Sequence, residues 1–275
     1  MSQVPSSADA LAAIRIVLVA PAGPLNVGSV ARVMKNFGLS QLVLVNPQCD
    51  PLSTEALQMA VHADDILQAA KQVQTIPEAL EGCDRAIATT ARNRGFNAPL
   101  HPPDVILPTL LTPANPSAIL PSAPHPAAER SRSLIFGPED RGLSNTELTY
   151  AQHFTKIPTT DTYSALNLAQ AVTVCCYELR RAALQNSPLS VKQTESNLVN
   201  QSSPDQATLD QLEGYYQHLE SILLKVEYLY PHTAASRMRK LRQLLHRSTP
   251  TTNEVALLRG ILRQVDWALS DSKKG

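Results

Sequence analysis

Residues 14–20 (IRIVLVA) form a β-branched run closed by Pro21-Ala22-Gly23-Pro24, the pattern of a strand entering a turn. From Asn26 the rhythm changes. Val27, Val30, Ala31, Met34 and Phe37 recur at helical spacing, and Gly38 sits where a C-terminal cap belongs. Ser29, Arg32 and Asn36 then fall on the opposite, polar face. Residues 41–45 read as the next strand, 55–70 as a helix broken near Ala63-Asp64, 77–81 as a short helix and 85–89 as another strand. Leu134, Ile135 and Phe136 form a further buried strand, stopped by Gly137-Pro138. Strands alternating with helices predict an α/β domain: a mainly parallel sheet with helices on both faces.

A helix over 166–184, with Leu168, Ala169, Val172, Cys175, Cys176 and Leu179 on one stripe, closes that domain, which spans residues 14–185. Residues 1–13 are small and polar and are expected to be disordered. Residues 99–130 form a proline-rich insertion, with nine prolines between positions 99 and 126, leaving room for one or two turns around 104–111. Residues 186–206 have linker composition. Residues 207–275 carry a small all-helical extension with patterns at 207–224, at 232–247, and after the capping-box sequence Thr251-Thr252-Asn253-Glu254. In the middle helix Met238, Leu241 and Leu245 share the buried face, and Arg239, Arg242 and His246 lie on another.

Polar residues gather at the carboxyl ends of the strands, where open α/β sheets bind ligands. Thr89, Thr90, Arg92 and Arg94 follow one strand, and Glu139, Asp140, Arg141 and Gly142 follow another. Beyond Lys156 the arrangement of strand, polar loop and helix repeats. Residues 23–29 (GPLNVGS) have the glycine spacing of a phosphate-binding loop. They lack the lysine before the serine, and Pro24 removes an amide donor. The dinucleotide fingerprint GxGxxG is also absent, so neither nucleotide-binding motif accounts for these loops.

Composition narrows the setting. The 275 residues are 43% hydrophobic with a formal net charge of zero, which is the composition of a soluble globular protein. No apolar run approaches the roughly 18 residues of a membrane span, and a cytoplasmic location is expected, with no membrane partner. The four cysteines lack metal-ligand spacing and read as reduced and buried. Charge is uneven, however. Between positions 237 and 263, Arg237, Arg239, Lys240, Arg242, Arg247, Arg259 and Arg263 are opposed only by Glu254.

Taken together, NVGSVAR (26–32), FGPEDRGLSNTEL (136–148) and IPTTDTYSALNLAQAV (157–172) resemble the three motifs of the SPOUT methyltransferases. The likeness is to the TrmH-like branch, which methylates ribose 2′-hydroxyls of RNA. ATTARNR (88–94) is similar to that branch's TSAR-type loop, and residues 237–266 resemble the helical extension of TrmJ-type tRNA methyltransferases. The resemblance implies a trefoil knot, S-adenosylmethionine as methyl donor, and a homodimer whose active site is completed across subunits. The implied substrate is tRNA, at nucleotide 32 of the anticodon loop, rather than DNA. No metal is called for, because a sulfonium is already a good leaving group.

By position, the resemblance assigns Thr89, Thr90, Gly137, Pro138, Glu139, Ile157, Leu166 and Asn167 to the methyl-donor pocket. Arg32, Asn26, Ser164 and Glu139 form the catalytic set. Arg32 reaches the acceptor ribose and its phosphate, and Asn26 holds the turn. Arg32, Arg141, Arg239, Lys240, Arg242 and Arg247 face RNA. A guanidinium offers no lone pair at neutral pH, so Arg32 is read as a positioning and charge-stabilising group rather than a base. Where the family reads Ser-Leu-Asn, this chain has Ala165-Leu166-Asn167, with the serine at Ser164. Ser164 either substitutes through a small backbone shift or caps the following helix.

Other readings remain open at this point: Arg32 as a solvated helix-face residue, Glu139 as a loop ion-pair partner or helix N-terminal charge, Asn167 as a buried backbone anchor, and the basic stripe as a solvated face. The same chemistry on another tRNA position or on rRNA, and a catalytically weak RNA-binding protein of the same fold, also stand. Removing everything after about Leu184 is expected to leave a folded dimer that binds S-adenosylmethionine but handles tRNA poorly.

Overall fold

The computed structural model describes residues 7–91, 99–112, 131–185 and 206–271. Its frame is a seven-stranded sheet with order β3-β2-β1-β6-β4-β7-β5. The strands are β1 (Ile14–Val19), β2 (Gln41–Val45), β3 (Lys71–Val73), β4 (Cys83–Thr89), β5 (Leu100–His101), β6 (Ser131–Phe136) and β7 (His153–Thr155). Every neighbouring pair is parallel. β6 lies between β1 and β4, with Leu18 opposite Phe136 and Ala88 opposite Ile135. The carboxyl ends of β1, β6, β4 and β7 therefore meet along one edge of the sheet.

Alternation along β1 divides the interior in two. Ile14, Ile16 and Leu18 enter one core with Val27, Val30 and Met34 of α2 (Pro24–Phe37) and Val172, Cys175 and Leu179 of α8 (Leu168–Gln185). α1 (Ser7–Ala12), α3 (Thr54–Ala60), α4 (Asp64–Gln68), α6 (Pro103–Ile106) and a 3-10 turn over Leu107–Leu110 complete that layer. Gly28 of α2 packs where an added Cβ would lie 2.1 Å from the Ala56 carbonyl oxygen of α3. The second glycine of the GPLNVGS stretch thus serves helix packing. Val17 and Val19 face the other way, toward α5 (Ile76–Ala79) and α7 (Asn145–Leu148).

This second core includes Leu212, Tyr215 and Tyr216 of α9 (Leu209–Lys225), Met238 of α10 (Pro231–Ser248) and Leu262 of α11 (Thr252–Asp271). Tyr216 is 1% exposed. α9 is a covering layer of the sheet that packs on β4 and α5, so the helical extension shares this core with the sheet domain. Of residues 1–13, expected to be disordered, positions 7–13 are described, and there Ser7–Ala12 is helical and Leu11 is fully buried. α2 begins at Pro24, earlier than Asn26, as suits a residue with no amide proton to leave unpaired in the first turn. β3 and β5 went unanticipated, being three and two residues long, too short to show a period. Most of the proline-rich insertion and all but Gln206 of the proposed linker lie outside the described residues. No helix among the described residues is long and apolar enough to cross a membrane.

Candidate active site

A cleft of about 890 Å³, solvent at its mouth included, opens at the carboxyl ends of β4, β6 and β7. Each strand hands over to a loop that forms one wall. Thr89 and Thr90 come from β4, Gly137, Pro138 and Glu139 from β6, and Ile157, Ser164 and Leu166 from β7. The Thr90 amide donates to the Thr155 carbonyl at 3.0 Å, which carries the pairing of β4 and β7 one step past the sheet. Thr89 turns its hydroxyl onto the Ile135 carbonyl at 3.1 Å. Gly137 is sterically required here, because the loop doubles back and a Cβ would meet the Leu143 nitrogen at 2.3 Å. The Gly142 amide closes that return on the Pro138 carbonyl at 2.9 Å.

Glu139 joins the three motifs. Its carboxylate accepts from the backbone amides of Ala22 and Gly23, both at 3.2 Å, and from the Asn26 side-chain amide at 2.9 Å. Partial desolvation acts to raise its pKa, but these hydrogen bonds together outweigh it and hold the carboxyl below the usual range. Asn26 then accepts, through its side-chain oxygen, from the side-chain amide of Asn167 at 2.9 Å. The Asn167 side-chain oxygen accepts from the Ala169 amide at 2.8 Å, which caps α8. A continuous path runs from the β6 loop through the start of α2 to the start of α8. The helix-cap alternative for Ser164 is corrected accordingly: Asn167 is the cap. The Ser164 side chain lines the cleft and makes no hydrogen bond among the described residues.

The sequence profile described as the SpoU rRNA Methylase family matches residues 13–177, and that of the tRNA methyltransferase TrmJ, C-terminal domain, matches 210–274. The chain belongs to the SpoU rRNA methylase family. It is 40% identical over 253 residues to the tRNA (cytidine/uridine/adenosine-2'-O-)-methyltransferase TrmJ of Pseudomonas aeruginosa, covering 91% of this chain and 93% of that protein. Identity to the tRNA (cytidine/uridine-2'-O-)-methyltransferase TrmJ of Pectobacterium atrosepticum is 38% over 252 residues, covering 92% and 96%. The crystal structure of TrmJ from Z. mobilis ZM4 superposes with a TM-score of 0.75 at 30% identity, covering 92% of this chain and 98% of that one.

Within this SpoU-family frame the basic residues separate into distinct classes. Arg32 is exposed on α2, lies off the cleft lining, and has no ion-pair partner among the described residues. Arg141 lines the cleft but is engaged by Glu147 at 2.8 and 3.0 Å. Glu147 in turn forms the capping box of α7 with Ser144. Arg239 is half-buried and Lys240 exposed. The Arg247 side chain and residues Arg92 and Arg94 lie outside the described residues.

Arg242, expected to face RNA, is held by groups of the protein itself. Glu213 of α9 binds its guanidinium at 2.6 and 2.9 Å, and the group sits 4.4 Å from the Tyr216 ring and 5.5 Å from that of Tyr150. Beside it, desolvation first and the Arg242 charge second push the His246 pKa down to about 4. Sequence reasoning missed this Glu213–Arg242–Tyr150 junction. Its members sit on three elements with unrelated spacing, and an arginine in a basic stripe carries no local sign of being buried.

Proposed function

We propose that this chain transfers a methyl group from S-adenosylmethionine to a ribose 2′-hydroxyl in tRNA, at nucleotide 32 of the anticodon loop. The observation that carries the reading is the cleft at the strand ends, lined by the second and third motifs and tied to the first through Glu139, Asn26 and Asn167. Support also comes from relatives named as tRNA 2'-O-methyltransferases, which match across both the sheet domain and the helical extension.

The cleft suits the methyl donor in two respects. Ile157 and Leu166 supply apolar surface, and Glu139 supplies a carboxylate kept ionised by its amide donors, a complement to a cationic sulfur. When bound there, S-adenosylmethionine would supply a methyl carbon for in-line attack by the 2′-oxygen, with S-adenosylhomocysteine as the leaving product. Asn26 and Glu139 hold the loops in register, so they are positioning residues. Arg32 lies off its own cleft, which favours a homodimer in which it serves the partner's site, fixing the ribose phosphate and stabilising the developing alkoxide. The hydroxyl proton leaves to a phosphate oxygen, water or Ser164, whose side chain makes no hydrogen bond among the described residues. Lys240 and Arg239 extend the RNA contact along α10. The trefoil knot and a cytoplasmic location belong to the same reading.

The test is methyl transfer from labelled S-adenosylmethionine to unfractionated tRNA by the full chain, with nuclease digestion to place the label. A 2′-O-methylated nucleotide 32 is expected. Label at another position or in rRNA relocates the substrate, and no transfer to any RNA refutes the reading. Arg32→Ala should lower turnover by about 100- to 1,000-fold while S-adenosylmethionine binding persists.

A further inference from the structure

The connection between α9 and α10 exposes an aromatic cluster that neither the fold nor the cleft uses. Glu227 takes a positive φ of 59° and turns the chain sharply after α9. Leu229 then plugs the turn, 1% exposed, with its amide donating to the Leu223 carbonyl at 3.0 Å. With Leu229 seated inward at this bend, its neighbours Tyr228 and Tyr230 are both left exposed. They are 58% and 49% exposed. Two outward tyrosines at one anchored turn are conspicuous in a chain with 4% aromatic residues.

Their neighbours supply charge and stacking surface. The His232 ring is stacked on Tyr230, with centroids 6.0 Å apart and planes at 20°. Arg237 lies 5.4 Å over the Tyr228 ring and donates to the Tyr228 carbonyl at 2.8 Å. One helical turn further along α10, Lys240 is exposed on the same side as Arg237. Glu227 is the single acid between positions 226 and 246, set against Arg237, Arg239, Lys240 and the paired Arg242. Anchored aromatic faces leading into a cationic helix stripe form the combination that takes unpaired nucleotides: bases stack on rings, and the adjoining phosphates meet the cations.

We propose that Tyr228 and Tyr230, with His232 and Arg237, form a stacking platform for an unpaired nucleobase of the bound RNA, separate from the methyl-transfer cleft. This rests on the reading of the chain as a tRNA-binding enzyme. Tyr228 and Tyr230 act through ring faces, and Lys240 acts through charge. Base stacking on an aromatic side chain is lost on substitution by alanine and kept by phenylalanine, with a change of roughly 5- to 150-fold per base.

The experiment measures dissociation constants of the full-length chain for unfractionated tRNA, and for a fully paired RNA duplex of similar length, across a salt series. The wild type is measured first: if it binds no tRNA, the functional reading fails before the platform is tested. Given binding, Tyr228→Ala with Tyr230→Ala should weaken tRNA affinity at least about tenfold, leave duplex affinity unchanged and leave the salt slope unchanged. Tyr228→Phe with Tyr230→Phe should retain affinity. Lys240→Ala should instead reduce the salt slope by about one. Equal tRNA binding by the double-alanine and wild-type chains overturns the proposal, as does an equal loss on duplex and tRNA. If only the phenylalanine pair folds, full wild-type affinity in that variant supports stacking, and a tenfold loss overturns it.

Discussion

Replacing Arg242 by alanine tests whether the helical extension is an integral layer of the molecule or an appendage. The Arg242 and Glu213 side chains are 13% and 15% exposed, so the pair is largely shielded from water. Removing the guanidinium leaves the Glu213 carboxylate in that setting without its counter-charge, which typically costs about 3–5 kcal/mol. The lost contacts with Tyr216 and Tyr150 add to this in the range of about 0.5–2 kcal/mol, partly counted already. Against a total stability of about 5–15 kcal/mol for a domain, the change is large. Equilibrium urea unfolding followed by circular dichroism should show the midpoint falling by an amount equivalent to about 3–5 kcal/mol in a single transition, because α9 belongs to the core of the sheet. Replacing both partners, Arg242→Met with Glu213→Leu, should recover most of that loss, since no charge is then stranded. The reasoning fails if Arg242→Ala costs less than about 1 kcal/mol, or if the double substitution is as destabilised as the single one.

Four further outcomes follow from the geometry. The Glu139 carboxyl is held below its ordinary range, so its contribution to stability is complete above the unfolded value near 4.3 and is lost as pH falls through the lower folded value. Acid titration of Glu139→Gln should lack that part of the wild-type limb, and superposable limbs would contradict the assignment. His246, pushed down to about 4, is neutral when folded, so stability should decline between about pH 6.5 and 4; His246→Phe should flatten this interval in pH-dependent thermal melts. Asn167→Ala should cost about 1 kcal/mol through loss of the α8 cap. Asn167→Asp should keep the cap but lose the donor to Asn26, so equal melting temperatures for the two variants would argue against the double role. Gly28→Ala places a Cβ 2.1 Å from the Ala56 oxygen and should cost about 1–3 kcal/mol by forcing α2 and α3 apart, measured by denaturant midpoint.

The sheet domain was legible because its elements carry local signals. β2 occupies the five residues its apolar run marks, and Gly38 caps α2 in the left-handed conformation that position called for. The break near Ala63 separates α3 from α4 as the pattern indicated. Strand order was not legible in the same way. Nothing within SRSLIF states that it lies between β1 and β4, since its apolar half, Leu134 to Phe136, would suit any interior position of a parallel sheet. The cleft residues were reached through motif resemblance, but the reason they act as a unit, Glu139 binding Asn26 across 113 positions and Asn26 binding Asn167 across 141, is a long-range fact that no window contains. Arg242 shows the limit of local spacing from the other side. Helical spacing placed it on a polar face, and that face is covered by α9.

The two networks meet in one short segment, and this bears on how the extension serves the cleft. Arg242 of α10 stacks against Tyr150, which lies just past α7. Glu147 of α7 fixes Arg141 by a two-point ion pair, and Arg141 belongs to the loop that forms the cleft wall. From α10 to the cleft, each step is therefore a ring contact, a helical turn or a paired charge. A tethered domain would leave an RNA bound on α10 free to sample many positions relative to the cleft, and its binding would raise only the local concentration of substrate. An extension whose first helix closes the core instead holds such an RNA at a set distance from Glu139 and Ser164. On the proposed function, α9 and α10 act as a ruler that selects which nucleotide reaches the cleft. Loosening the Arg242 junction should then broaden the position of methylation in addition to lowering stability.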